Sequence, residues 1–141
     1  MRGQYEYKML ASYPHMGPED TKAWTNFILS HPNEYDSIDY DVKIGNVPAF
    51  VTRDIANIGG DIASLYQRKI DVVAYKEDKI DIIEVKPDAG FSAIGQVLGY
   101  FHLWQNQYGS VENVNPMIVC NTSSLDVRAL AEAQGVKLIV T

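Results

Sequence analysis

The spacing of apolar residues predicts a helix and then a strand in the first third of the chain. The helix begins at Pro18, because proline fits the first helical turn and the acidic residues that follow suit its positive end. Trp24 and Phe27 belong to an apolar stripe on this helix, which Pro32 ends. Residues 38–44 then alternate between apolar and polar side chains, which is the period of a half-buried strand.

Two apolar runs in the middle of the chain, residues 70–75 and 80–86, predict a β-hairpin joined by residues 76–79. The later elements are a helix over residues 91–108, a strand over 116–121, a helix capped by Ser123 or Ser124 and stopped by Gly135, and a strand over 136–140. The order α-β-β-β-α-β-α-β predicts an α/β fold with a central mixed sheet covered by helices on both faces.

The length of 141 residues fits a single domain. We assign residues 1–17, which are rich in tyrosine and turn residues, to an N-terminal extension that wraps the surface. Residues 18–141 form the domain itself. Residues 45–69 are interrupted by glycine and proline, and only a short helix near residues 62–66 is expected there.

The composition excludes several classes of function. Twelve Lys and Arg against eighteen Asp and Glu give a formal net charge of −6, which argues against binding nucleic acid by bulk charge but leaves local phosphate contacts open. No apolar run approaches the ~20 residues of a membrane span, and the N-terminus lacks the apolar stretch of a signal peptide. The single cysteine, Cys120, lies in an apolar segment, so we expect a buried thiol in a cytoplasmic protein.

Three charged residues of the predicted hairpin are candidates for catalysis. If the turn centres between residues 77 and 78, Asp71 faces Glu84 with the two Cβ atoms about 5 Å apart. Lys86 lies on the same face, because side chains alternate along a strand. At an effective dielectric constant of about 20, two ionised carboxylates at this distance repel by about 3 kcal/mol. A proton, Lys86 or a divalent cation must offset this repulsion, and hard oxygen ligands suit Mg²⁺ or Mn²⁺.

Each of these residues also has an ordinary explanation. Asp71 could simply begin a strand, and Glu84 and Lys86 could form a surface ion pair. Their clustering at the end of a strand that is expected to be covered on both faces favours a functional role, because buried charges need partners.

Asp71, the tripeptide Glu84-Val85-Lys86 and the order of the elements together resemble the PD-(D/E)XK nuclease superfamily, over residues 18–141. The resemblance implies a restriction-endonuclease-like fold and a nuclease in which Asp71, Glu84 and the carbonyl of Val85 bind Mg²⁺, with Mn²⁺ as a substitute. It also implies that Lys86 assists the attacking water and the charged transition state.

Helix residues extend the resemblance. Gln96 and Tyr100 match the Gln-x-x-x-Tyr motif of a subgroup related to the nuclease domains of recombination helicases, and their spacing puts both on one helical face. This implies contact with a phosphate or a water, although a solvated Gln96 and a core-flanking Tyr100 remain the alternative. Family members often complete the metal site with an acid on the first helix. Glu19 is the candidate here, with Asp20 and Glu34 as alternatives, and a favourable charge at the helix start explains Glu19 equally well.

The chain departs from the family pattern at two positions. Ile70 precedes Asp71 where proline is common, and Pro87 follows Lys86, where we expect it to end the strand. The long segment over residues 45–69 could contact substrate, and its basic residues are either phosphate ligands or solubilising charges: Arg53, Arg68 and Lys69.

These features predict a metal-dependent nuclease that acts on nucleic acid, with DNA as the expected substrate. One alternative is a non-catalytic scaffold or binding module that keeps the fold, because fold does not fix function. Another is a metal-dependent hydrolase of other phosphate esters. A homodimer or a protein partner could supply the substrate affinity that the acidic composition does not. The sequence leaves open DNA against RNA, exonuclease against endonuclease action, substrate structure, oligomeric state and pathway.

Overall fold

The computed structural model describes residues 2–45, 68–110 and 112–141. Its helices are α1 (Pro18–Ser30), α2 (Phe91–Tyr108) and α3 (Leu125–Ala133). Its strands are β1 (Tyr5–Glu6), β2 (Ser37–Ile44), β3 (Arg68–Lys76), β4 (Lys79–Ala89), β5 (Asn113–Ser123) and β6 (Lys137–Val140). From α1 onward, the predicted order of elements is confirmed.

The six strands form one mixed sheet and lie in it in chain order. Neighbouring strands from β1 to β4 are antiparallel, whereas β4, β5 and β6 run parallel. The two parallel connections need crossovers, which α2 and α3 provide. The predicted α/β architecture with a central mixed sheet is therefore confirmed.

Helices cover both faces of the sheet. On one face, Trp24 of α1 packs in a buried cluster with Ile83 of β4. On the other face, Val97 of α2 and Val127 of α3 pack in a cluster with Ile118 of β5. Burial of each such side chain stabilises the fold by roughly 1.5–3 kcal/mol, so the two layers hold β4 firmly between them.

The N-terminal segment contributes more to the fold than the sequence suggests. Tyr5 and Glu6 form the edge strand β1 beside β2, and Tyr13 is buried in the core. Gly3 lies so close to Ile38 that a Cβ atom there would be 2.6 Å from the Ile38 carbonyl oxygen, which no larger residue could accept. A two-residue strand is too short to show a period, which is why alternation did not predict it.

Strand β4 extends beyond the end that the sequence predicts. Pro87 lies inside it, and the pairing with β5 continues through Asp88 and Ala89. The ladder to β3 ends at Ile83, four residues before Pro87, so the missing N–H of the proline breaks no hydrogen bond on that side. The short helix expected near residues 62–66 lies outside the described residues.

Two terminal features of the predicted helices are confirmed. The Ser124 hydroxyl caps α3 by accepting a hydrogen bond from the Val127 N–H at 3.2 Å, and Gly135 follows the helix with φ +72°. Cys120 is fully buried, as expected. None of the described helices is long and apolar enough to cross a membrane.

Candidate active site

The register of the β3–β4 hairpin is the one that the sequence predicts. Lys76 pairs with Lys79 across a two-residue turn, and Val72 pairs with Ile83 at the far end of the ladder. Beyond that pair, the Val85 N–H donates to Asp71 Oδ2 at 2.9 Å. The Asp71 carboxylate thus accepts a hydrogen bond from a backbone N–H of β4 just beyond the end of the ladder. This contact fixes Asp71 beside Glu84, the residue that precedes Val85.

Glu84 is buried and incompletely partnered. The residue is 3% exposed, and its Oε1 lies 3.4 Å from Nζ of Lys86. Its second carboxylate oxygen, Oε2, is buried and has no hydrogen-bond partner among the described residues. Removing a carboxylate oxygen from water without a partner is unfavourable, so folding alone gives no reason for this arrangement.

The two carboxyl groups influence each other's protonation. Burial is the main cause that raises the pKa of Glu84 to about 8, and the charge of Asp71 adds to it, while Lys86 opposes the shift. Burial also raises the pKa of Asp71, against the lowering effect of the hydrogen bond from Val85. A proton or a cation therefore binds to this pair favourably at neutral pH.

The first helix brings an acid to this pair. Burial raises the pKa of Asp20, nearby Lys86 lowers it, and the charge of Asp20 in turn raises the pKa of Asp71. Asp20 is therefore close to the hairpin site. Glu19 is exposed beside it, and both line a cavity of about 440 Å³ at the start of α1.

The third acid that the sequence offers lies elsewhere. Glu34 is 3.7 Å from Lys79, near the start of β4, whereas Glu84 lies in its second half. The structure thus brings Asp20 to Asp71 and Lys86 and places Glu34 away from them. Successive helical residues point about 100° apart, so the helix start alone could not distinguish Glu19 from Asp20.

Helix α2 borders the pair from the other side. Tyr100 is half-buried, and burial, followed by the charges of Glu84 and Asp71, raises its pKa to about 12. Gln96 lies one turn earlier and is exposed. Gln96, Tyr100 and Arg68 line a common cavity of about 220 Å³. Lys69 is exposed at the start of β3, and Arg53 lies outside the described residues.

The donor set limits which metal ion could bind. Within the described ranges, no three His, Cys, Asp or Glu side chains are grouped so that they could hold a metal ion by themselves. The carboxylates of Asp71 and Glu84 and the carbonyl of Val85 remain as candidate ligands. The N–H and C=O of one strand residue point to the same side, so the Val85 carbonyl points toward β3, as its N–H does. Mg²⁺ fits such a set, since it commonly uses one or two carboxylates and keeps several waters or substrate oxygens. The unpartnered Glu84 Oε2 supplies the free ligand atom that a cation requires.

Another buried carboxylate on β4 serves as a comparison. Asp81 accepts a hydrogen bond from the Tyr35 hydroxyl at 2.5 Å and one from the Asn115 amide at 3.4 Å, and Lys79 lies 3.6 Å away. Its hydrogen-bonding capacity is met by protein groups, as is usual for a structural carboxylate. Glu84 differs from Asp81 in this respect.

Solved structures share this fold. The chain matches a crystal structure described as a repair endonuclease from Pyrococcus abyssi, with TM-score 0.54 and 17% identity over 92% of this chain and 49% of that one. It also matches EndoMS in a complex with double-stranded DNA, with TM-score 0.51 and 16% identity over 94% of this chain and 48% of that one. A protein of unknown function matches with TM-score 0.54 and 17% identity, over 85% and 56% of the two chains.

These likenesses concern the fold. The chain spans about half of the length of the structures that it matches. No protein-family model matches it, and a search of curated proteins found no match either. The α/β fold expected from the sequence, a mixed sheet with helices on both faces, is confirmed and is shared with structures described as endonucleases.

Proposed function

We propose that the protein is a Mg²⁺-dependent nuclease of the PD-(D/E)XK type that hydrolyses phosphodiester bonds of DNA. One observation carries the proposal: among the described residues no group donates a hydrogen bond to the buried Glu84 Oε2, which lies in a carboxyl pair with Asp71, beside Lys86. Such an arrangement is unfavourable for folding and favourable for binding a cation. Perturbed carboxyl groups of this kind cluster at functional sites.

In this proposal, Asp71, Glu84 and the Val85 carbonyl would hold the cation, and Asp20 or Glu19 is the nearby acid of the first helix, outside the direct ligand set. The bound ion supplies Lewis-acid polarisation of a phosphate oxygen and lowers the pKa of a water. Mn²⁺ is expected to substitute for Mg²⁺. The other residues of the site then bind and orient the reacting groups.

Lys86 has the central role in the chemical step. Its ammonium group donates hydrogen bonds to the attacking water and to the oxygens on which charge develops in the transition state. Gln96 and Tyr100 position the phosphate from the α2 side, in keeping with the subgroup that carries the Gln-x-x-x-Tyr motif. The water oxygen bonds to phosphorus in line as the bond to the leaving oxygen breaks on the opposite side, without a covalent enzyme intermediate. The attacking water loses a proton to solvent, and the leaving oxygen takes one up from solvent.

The fold neighbours support a nucleic-acid substrate. One is described as a repair endonuclease, and another is a complex with double-stranded DNA. The net charge of −6 gives this chain little general attraction for phosphates, so we propose that a second copy or a protein partner adds substrate affinity. We also place its action in the cytoplasm, on the expectation drawn from the sequence.

Cleavage assays test the proposal. Linear, circular, single-stranded and branched DNA are incubated with the protein in Mg²⁺, Mn²⁺ or EDTA, beside the variant Glu84→Gln. We expect cleavage in both metals, none in EDTA, and a loss of at least ~100-fold in the variant, because its neutral amide is a poor ligand for a hard cation. Glu132→Gln, the same change at an exposed residue of α3, is the matched control and is expected to cut normally.

Two results would contradict the nuclease assignment. Cleavage by Glu84→Gln at the parental rate would show that the site lies elsewhere or that the activity is a contaminant. No cleavage by the parent protein on any substrate would favour the non-catalytic scaffold with this fold.

A further inference from the structure

A groove on α2 extends the candidate site. It is the cavity of about 220 Å³ whose lining residues are Arg68, Gly95, Gln96, Gly99, Tyr100 and Leu103. Tyr100 joins the groove to the carboxylate pair, because the charges of Glu84 and Asp71 both act on its hydroxyl. The groove therefore lies next to the point where a scissile phosphate would bind.

The polar groups that line this groove can donate hydrogen bonds and have no partners among the described residues. In the described part of the chain, no carboxylate pairs with the Arg68 guanidinium, and no hydrogen bond is made by the side chain of Gln96 or the hydroxyl of Tyr100. A guanidinium, a carboxamide and a phenol together suit an anion with several oxygens. An arginine can bind two oxygens of a phosphate at once.

The floor of the groove is backbone rather than side chain. Gly95 and Gly99 lie one helical turn apart and are exposed, and a Cβ atom built on either one would meet nothing within 4 Å. Neither has the positive φ that requires glycine. Each glycine costs the helix about 1 kcal/mol relative to alanine, and packing against the described residues does not explain the choice. Close approach of a ligand to the helix backbone explains the two glycines.

We propose that this groove binds the phosphodiester next to the one that is cut, with Arg68 as its main anion ligand and the two glycines as the surface on which the sugar–phosphate backbone lies. The inference rests on the proposed nuclease function and deepens it. Arg68 and the glycines are binding residues, whereas the cation ligands and Lys86 carry the chemical step. The substrate must then continue beyond the scissile bond on the α2 side.

Filling the groove separates binding from folding. Gly99→Leu adds a side chain in open space and replaces a poor helix former by a good one. We expect thermal unfolding at the same or a higher temperature, a KM at least tenfold higher, and a kcat within twofold of the parental value. Ala129→Leu, which adds the same bulk at an exposed position of α3, is the control and leaves KM unchanged.

A chemical test identifies the phosphate. An oligonucleotide that carries one neutral methylphosphonate, placed at each linkage beside the scissile bond in turn, is cut by the parent and by Arg68→Gln. We expect one position at which the neutral linkage raises the parental KM about tenfold and leaves the KM of Arg68→Gln unchanged. If the neutral linkage raised the KM of Arg68→Gln by the same factor as that of the parent at every position, the proposal would be overturned.

The outcomes distinguish this inference from the function on which it rests. Metal-dependent cleavage with an unchanged KM in Gly99→Leu overturns the groove and leaves the nuclease assignment intact. If the parent does not cut, the nuclease assignment fails, and fluorescence anisotropy of the same oligonucleotide judges the groove by itself. An unchanged Kd in Gly99→Leu then overturns it, and a Kd at least tenfold weaker supports it.

Discussion

Two buried carboxylates on β4 show how partners distinguish a structural acid from a functional one. Asp81 is 5% exposed and Glu84 is 3% exposed, so burial does not separate them. Asp81 has Tyr35, Asn115 and Lys79 around it, whereas Glu84 leaves one oxygen unpartnered. The sequence singled out Glu84 by its spacing to Asp71 and Lys86. The spacing alone could not set Asp81 apart, because its two hydrogen-bond donors come from β5 and from the chain before β2.

Tyr35→Phe tests the structural role of Asp81. The change removes the hydroxyl that donates to a buried carboxylate and should lower the free energy of unfolding by about 1–3 kcal/mol. We expect no change in DNA cleavage per folded molecule. Urea denaturation and the cleavage assay, run on the same samples, check both parts. A loss of cleavage with unchanged stability would contradict the structural role of Asp81 and its distinction from Glu84.

The protonation of Glu84 predicts how stability depends on pH. Its pKa in the folded protein is about 8, above the ordinary value of 4.5, so the folded state keeps a proton that the unfolded chain loses. The free energy of unfolding without metal should therefore fall as pH rises from about 4.5 to about 8, by at most about 1.4 kcal/mol per unit.

Glu84→Gln should flatten this dependence, since an amide does not titrate. Urea midpoints measured between pH 5 and pH 8 in EDTA check it. A parental stability that rises across this range, or an equal slope in the variant, would contradict the assigned environment of Glu84.

At the scale of elements, the hairpin was predictable and its surroundings only in part. A turn centred between residues 77 and 78 predicted the register in which Asp71 faces Glu84, and a slip of one residue would have separated them. The continuation of β4 through Pro87 was not predictable, because it depends on where β3 stops pairing. The strand β1 was missed because two residues show no period.

The first helix tests a distinction that the sequence could not make. The sequence favoured Glu19, whereas the structure brings Asp20 within electrostatic reach of Asp71 and Lys86. We expect Asp20→Asn to reduce kcat at least tenfold and Glu19→Gln to change it less than twofold. Steady-state cleavage at saturating DNA and Mg²⁺ measures both. The reverse order would restore Glu19 as the acid that completes the site.

At the scale of the whole molecule, the two-sided cover of the sheet assembles the site. Helix α1 packs on one face of the sheet and α2 on the other, and the β3–β4 hairpin lies between them. Asp20 can therefore approach Asp71 from one layer while Tyr100 approaches it from the other. The order of elements in the sequence predicted these layers, but not which side chains of each helix would reach the hairpin.

The acidic composition predicts a weak dependence of DNA binding on salt. Because the net charge is −6, we expect only a few cationic side chains of this chain to contact phosphates, such as Arg68, Lys69 and Lys86. Each contact contributes about 0.9 to the slope of log K against log salt for duplex DNA, so we expect a slope of about −3 or shallower. Binding titrations over a range of salt concentrations measure it. A much steeper slope would contradict a surface with so few phosphate ligands.

Calorimetric titration with Mn²⁺ near pH 7 determines whether Asp71 and Glu84 bind a divalent cation. Because the pKa of Glu84 is about 8, binding must displace a proton, and the enthalpy should vary with the ionisation enthalpy of the buffer. We expect Mn²⁺ binding with proton release in the parent protein and in Tyr35→Phe, and neither binding nor proton release in Glu84→Gln. Equal Mn²⁺ binding by Glu84→Gln would contradict it.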